Sequence, residues 1–260
     1  GVQAIKLQTS TPDGLTLDVK SKDFLIDHPA SPWNGRYLFE LYQQATTPWE
    51  WHEELFKVAR EEGLECFSSP FDFTAVDFLE KFNPPAYKIA SFEITDIPLI
   101  EYVAKKGKPV IISTGIATKD DIDLAINTIR NTGNNNIVIL KCTSSYPAPI
   151  EEANLLMIRK FSEDYGLHSG LSDHTLGIEA PVVSVALGAK VIEKHFILDR
   201  TQGGLDSAFS MEPHEFSQMV SIVRDTELTL GEVSYDVSTQ DQSRKRSLFV
   251  IQPIKAGERF

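Results

Sequence analysis

Two histidines close successive short apolar runs: His174 ends HSGLSDH and His195 ends AKVIEKH, just before Phe196. As neighbouring parallel strands about 4.8 Å apart, these runs would deliver both imidazoles to one edge of a sheet, close enough to share a divalent metal. Two nitrogen ligands leave coordination positions open for water and substrate, as a catalytic site requires. Asp173 and Glu193 lie close enough in sequence to orient or charge-balance the pair. His28, His52, His168 and His214 lack such context and are read as structural or solvent-exposed.

Lysines form a second set. In VQAIKLQ, alternation puts Ala4, Lys6 and Gln8 on one face and Ile5 and Leu7 on the other. Burying an ammonium without a partner costs several kcal/mol, so an inward Lys6 predicts a bound anion or a carboxylate. The competing reading is a lysine on an exposed edge strand. Lys88 in AYKIAS repeats the feature, and two lysines converging on one mouth suit a small molecule carrying both carboxylate and phosphate.

Hydroxyl residues end the same runs: Ser68 and Ser69, Ser91, Ser113 and Thr114, Thr143 to Ser145, and Ser172. Any one of them could cap the following helix; recurrence on so many runs points to anion binding. Glu93, just past Ser91, is placed for general acid or base work, with a surface carboxylate as the competing reading. Asp206 sits in QGGLDSAFSMEP, a glycine-rich loop without phosphate-loop spacing, where it would accept hydrogen bonds from a sugar or polyol or simply form a turn.

The elements that must position these groups alternate along the chain. Strand candidates are VQAIKLQ, LECFSSPF, AYKIAS, PVIISTG, NIVILKCTS, LHSGLSDH and KVIEKHF. Amphipathic helix candidates lie between them, several closed by glycine at Gly63, Gly107, Gly133 and Gly166. Seven strand–helix units predict an α/β fold, a TIM-type (β/α)8 barrel lacking its first strand–helix unit. An open doubly wound sheet would carry a glycine-rich fingerprint after its first strand, and AIKLQTSTPDG has none. The long segment from Gln8 to Trp51 exceeds an ordinary connection and is read as an active-edge lid or as a surface loop packed through Trp33, Tyr37 and Phe39. The expected domains are a barrel over 1–230, a polar linker over 231–245, and over 246–260 a strand-and-turn pattern opening another domain.

Across 260 residues the formal net charge is −12, which argues against nucleic acid or an anionic membrane surface as partner. Cys66 and Cys142, both inside strand candidates, suit a reducing compartment better than a disulfide framework. With no signal-like start and no run of roughly 20 apolar residues, the expectation is a cytoplasmic protein.

In order along the chain, KLQ, FSSPFD, PAYKIASFEITD, STGIAT, CTSSYPAP, GLSDHT, IEKHF and GLDSAFSMEP resemble the sialic acid synthase family of barrel enzymes. LYQQATTPWEWHEELF and KIASFEITD are most similar to its pseudaminic acid branch, and RKRSLFVIQPIKAGE resembles the start of the family's C-terminal antifreeze-like (SAF) domain, here truncated. The resemblance implies condensation of phosphoenolpyruvate with an open-chain N-acetylated amino sugar to give a nine-carbon 2-keto acid and phosphate. It implies that Lys6, Ser69, Ser91 and Ser172 hold the phosphate end and Lys88 the substrate carboxylate. Gln8 and Glu93 would stand beside the reacting centre, and Tyr146 and Asp206 would contact the sugar. His174 and His195 would ligate Mn²⁺ or Mg²⁺, which would polarise the sugar aldehyde. Ser144 stands where some members have asparagine at a phosphate contact. The family's first strand, with its glutamate and Asn-His-Asn-like turn, is not in this sequence. A homodimer is implied too, in which the partner's antifreeze-like domain caps the site and supplies an arginine. Three other readings are an N-acetylneuraminate or legionaminate synthase using an N-acetylmannosamine-type sugar, a related aldol synthase acting on a phosphorylated sugar, for which no arginine-rich pocket is apparent, and a non-catalytic sugar-binding remnant.

Overall fold

The computed structural model describes residues 1–29, 31 and 33–259. Contacts divide the chain into two units, Gly1–Thr229 and Leu230–Phe260. The first contains β1 (Ala4–Thr9), α1 (Pro12–Leu15), α2 (Leu38–Ala45), α3 (His52–Glu61), β2 (Glu65–Pro70), α4 (Phe73–Glu80), β3 (Tyr87–Ile89) and α5 (Ile97–Ala104). It continues with β4 (Val110–Ser113), α6 (Lys119–Asn131), β5 (Ile137–Cys142), α7 (Leu156–Tyr165), β6 (His168–Asp173), α8 (Glu179–Ala186), β7 (Val191–Lys194) and α9 (Pro213–Leu230).

All seven expected strands form, and they lie parallel in chain order from β1 to β7. Alternation then sorts the side chains. Tyr87 and Ile89 on β3, Val110 and Ile112 on β4, and Ile137 and Ile139 on β5 pack into the main core with Val76, Leu79, Ile100, Val103, Ile122, Ile126 and Ile129 of the helices. The intervening residues, Lys88, Ile111 and Val138, therefore belong to the opposite face. By the same period that face carries Lys6, Ser69, Ser113, Cys142, Ser172 and Glu193. The sheet curls around it, since β1 and β7 are the outer strands of the order yet their side chains meet (below). The described residues form a curled seven-stranded parallel sheet, a half-barrel in which β1 does not pair with β7.

Local chemistry fixes the helix starts. Thr118 opens α6 with a capping box closed by Asp121, Asp72 caps α4 through Ala75 N, and Gly166 ends α7 in the left-handed region at φ 65°. In β6, a Cβ at Gly170 would lie 2.2 Å from the Val191 carbonyl, so a residue without one allows β6 and β7 to pair.

The segment between β1 and α3 is more ordered than a polar loop. Leu25 bridges Tyr37 in antiparallel fashion, Ile26 N donates to Arg36 O, Gly35 N donates to Ile26 O, and α2 follows directly. Trp49 stacks on Phe78 at 4.5 Å and donates its indole N–H to Ser10 O. His52 is fully buried, 2.7 Å from Thr9 Oγ1, and burial lowers its pKa; it is structural.

The second unit holds one short helix, α10 (Thr239–Ser243), capped by Ser238. The strand expected in LFVIQPIKAGERF does not form among the described residues, and Leu248, Phe249, Val250 and Ile251 are exposed. An extended run without a neighbouring strand has nothing to complete its backbone hydrogen bonds. Among the described residues no helix is long and apolar enough to cross a membrane.

Candidate active site

The concave face is organised around one carboxylate. Glu193 Oε1 accepts a hydrogen bond from Lys6 Nζ at 2.7 Å and from Ser172 Oγ at 3.1 Å, and lies 3.5 Å from Lys88 Nζ. Burial disfavours the ionised form of Glu193, but the two ammoniums and the Ser172 hydroxyl outweigh it and hold the carboxyl well below its ordinary range. Lys88, whose side chain is 2% exposed, is pushed down by burial to about 8, with Glu193 acting in the opposite sense. Two cations against one anion leave local positive charge in a protein that is acidic overall, which suits a dianionic ligand.

Hydroxyl groups surround this cluster. Ser69 Oγ and Ser113 Oγ are buried without a hydrogen-bond partner among the described residues. A buried hydroxyl with no partner carries a desolvation penalty that a ligand oxygen would remove. Ser91 Oγ accepts from Gly115 N at 3.0 Å, which leaves its own proton free to donate to a ligand. A Cβ on Gly115 would lie 2.1 Å from Ser144 Oγ, 2.9 Å from Ser91 Oγ and 3.1 Å from Cys142 Sγ. Glycine thus keeps the two serines side by side. Glu93 Oε2 is also buried and unpartnered, and burial pushes its carboxyl up to about 7, with Lys88 pulling the other way. A group titrating there can give or take a proton near neutrality.

The imidazole pair emerges where the spacing predicts. Ser172 pairs with Glu193 and Asp173 with Lys194, so His174 and His195 are the next residues on each strand. Their ring centroids are 5.2 Å apart. His174 Nδ1 donates to Thr143 O at 2.8 Å, and His195 Nδ1 lies 3.4 Å from Asp206 Oδ2. With each Nδ1 occupied by an acceptor, each Nε2 keeps its lone pair for a metal. The donor set therefore fits a divalent cation held by two imidazoles, and among the described residues no third His, Cys, Asp or Glu completes a larger cluster. Tyr146 lies 4.5 Å from the His174 ring and 6.4 Å from His195, with Phe209 5.3 Å away on its other contact. Burial pushes the Tyr146 phenol up, so it remains a neutral donor.

Most of the expected site residues thus share one face: Lys6, Lys88 and Ser172 meet at Glu193, Ser91 and Ser144 flank Gly115, and Tyr146 and Asp206 flank the histidines. Gln8 is the outlier. It is in register with Ser69 but exposed, with no hydrogen bond among the described residues. The expectation that Asp173 and Glu193 orient the imidazoles is corrected: Glu193 serves the lysines, while Asp173 pairs with Lys194 at 2.5 Å and accepts from Thr175. The imidazoles are oriented instead by the Thr143 carbonyl and Asp206. Glu193 and Ser113 are the groups sequence reasoning undervalued. Glu193 stands two residues before His195, hence on the same strand face, and that period was the available signal.

A curled parallel sheet with a lysine–carboxylate cluster beside an imidazole pair suits an enzyme acting on a small anionic substrate, and comparison with known proteins identifies the family. Residues 1–235 match the model of the NeuB family, and the chain belongs to that family, the sialic acid synthases. It is 46% identical over 263 residues to a pseudaminic acid synthase from Campylobacter jejuni subsp. jejuni serotype O:2, covering 100% of this chain and 76% of that protein. It is likewise 46% identical over 262 residues to a pseudaminic acid synthase from Helicobacter pylori, covering 99% and 76%. Among solved structures it is similar to the N-acetylneuraminic acid (sialic acid) synthetase from Leptospira borgpetersenii serovar Hardjo-bovis. That match has a TM-score of 0.81 and 29% identity, and covers 93% of this chain and 79% of the other.

Proposed function

We propose that the chain is an enzyme condensing phosphoenolpyruvate with 2,4-diacetamido-2,4,6-trideoxy-L-altrose, giving a nonulosonic acid and phosphate. The observation that carries this reading is the Lys6–Glu193–Lys88 cluster set on the same sheet face as the paired imidazoles, supported by whole-chain similarity to pseudaminic acid synthases. Neither the phosphorylated-sugar aldolase reading nor the non-catalytic one is favoured by these relatives.

Lys6 and Lys88 neutralise the phosphate and carboxylate of the enol, and Ser69, Ser91, Ser113 and Ser144 complete the cradle with hydroxyl donors, Ser172 joining them when its proton turns from Glu193 to the ligand. The enol C3 forms the new bond to the sugar aldehyde carbon, whose oxygen takes up a proton. Water adds at C2 and loses one proton to give a hemiketal phosphate; as its C2–O bond to phosphate breaks, the C2 hydroxyl proton passes to the departing phosphate and the ketone is left. Protonated Glu93 can give the first proton and, as carboxylate, recover the second, which its near-neutral titration permits. Tyr146 and Asp206 hydrogen-bond sugar hydroxyls. His174 and His195 would hold the divalent metal, Mn²⁺ or Mg²⁺. When bound it supplies Lewis-acid polarisation of the sugar aldehyde.

The eighth strand unit, the antifreeze-like domain and the homodimer stand on the family resemblance, and the domain limits at 230 and 245 and the cytoplasmic setting on the sequence pattern. Sedimentation of the full-length protein tests the dimer. The function is tested by mass spectrometry of products from phosphoenolpyruvate with either the altrose-configured sugar or N-acetylmannosamine. A nine-carbon diacetamido acid formed from the first sugar is expected; product from N-acetylmannosamine alone would overturn the substrate assignment.

A further inference from the structure

The hairpin closed by Leu25 and Tyr37 carries Trp33 to the aromatic wall of the site: its ring centroid lies 6.2 Å from that of Tyr146, with the planes tilted by 48°. Tyr146 itself contacts His174 and Phe209. The Trp33 backbone is tied down, its N–H donating to Ser31 Oγ and its carbonyl accepting from Arg36 N. The indole Nε1–H is different. It is buried and has no acceptor among the described residues, whereas Trp49, in the same segment, satisfies its own N–H on Ser10 O. An indole donor normally finds a partner when buried, so one left open beside a substrate pocket is a vacancy for a ligand acceptor.

We propose that Trp33 determines sugar specificity by recognising an acetamido group, Nε1–H donating to the acetamido carbonyl while the ring covers its methyl. The proposal rests on the amino-sugar reading above and deepens it. An acetamido group joins an acceptor oxygen to an apolar methyl, and Trp33 with Tyr146 and Phe209 presents the complement, one edge donor on an apolar wall. A free amine would offer a cation in place of the acceptor, and a hydroxyl lacks the methyl. Trp33 also gives the long segment before α3 a task that a surface loop would not have.

The test compares wild-type protein with Trp33→Phe, which keeps an aromatic ring and removes the donor, in steady-state assays with Mn²⁺, phosphoenolpyruvate and either the diacetamido sugar or analogues bearing one free amine in place of an acetamido group. The expected result is a rise of about five- to tenfold in KM for the diacetamido sugar, with KM for phosphoenolpyruvate unchanged. For the analogue lacking the recognised acetamido group, wild type and variant should match. An unchanged sugar KM, or equal rises in both KM values, overturns the role of Trp33 and leaves the function standing. Failure of the wild type to form product from the diacetamido sugar overturns both.

Discussion

Lys6 and Glu193 are 187 residues apart in sequence and join at 2.7 Å, although they belong to the two outermost strands of the sheet. In a flat sheet of this order those strands would stand about 29 Å apart; the curl closes the distance and makes one carboxylate the counter-ion of two lysines. Glu193→Gln removes that charge and leaves both ammoniums facing a neutral amide. The expected loss is roughly 2–4 kcal/mol, below that for a fully buried pair because Lys6 and Glu193 keep some solvent. Urea unfolding measures it, and inorganic phosphate should restore part of it by replacing the missing anion. A variant as stable as the wild type would show that the carboxylate does not compensate the lysines.

A second buried ion pair lies one residue upstream of the two histidines. Asp173 and Lys194 are 1–2% exposed and in register, at 2.5 Å. Lys194→Met leaves a buried carboxylate without its cation and should cost about 3–5 kcal/mol in chemical denaturation, while the double variant Asp173→Leu/Lys194→Met should recover most of it. Additive losses in the double-mutant cycle would mean that the two residues act independently.

Glu93 gives a pH signature. Burial raises its folded pKa to about 7 from an ordinary 4.5, so between those values the folded state retains a proton that the unfolded chain has lost. Its contribution to stability is present below pH 4.5 and is lost as pH rises through 7. Relative to Glu93→Gln, the wild type should lose up to about 3 kcal/mol between pH 4.5 and pH 8. Paired urea titrations across that range measure the difference; a pH-independent gap would mean that Glu93 titrates normally.

Gly115→Ala would drive a methyl into Ser144 Oγ and crowd Ser91 Oγ and Cys142 Sγ. The hydroxyls can rotate away, so the protein should fold, with KM for phosphoenolpyruvate raised about tenfold or more through the misplaced cradle. Unchanged phosphoenolpyruvate kinetics would place the enol elsewhere.

Much of this arrangement is legible in the residues. Period-two alternation in VQAIKLQ and AYKIAS puts Lys6 and Lys88 on one face, and two strands ending in His174 and His195 give the imidazole pair. What alternation lacks is curvature. Nothing local in KVIEKHF says that Glu193 will meet Lys6 from the far edge of the sheet, so sequence proximity to the histidines suggested the wrong partner. The helix α2 hid in a segment dominated by polar and aromatic residues, although LFELYQQA has apolar positions at helical spacing. Gln8 shares the face of Lys6 but stays exposed, because alternation fixes a face and not a depth.

The most direct test is steady-state release of inorganic phosphate from phosphoenolpyruvate with the diacetamido sugar and Mn²⁺, by wild type, Lys88→Met and His174→Ala/His195→Ala. The wild type should release phosphate in step with nine-carbon product, and both variants should fall by about 100-fold or more. Release at the wild-type rate from either variant would put the chemistry outside the lysine–glutamate cluster and the imidazole pair.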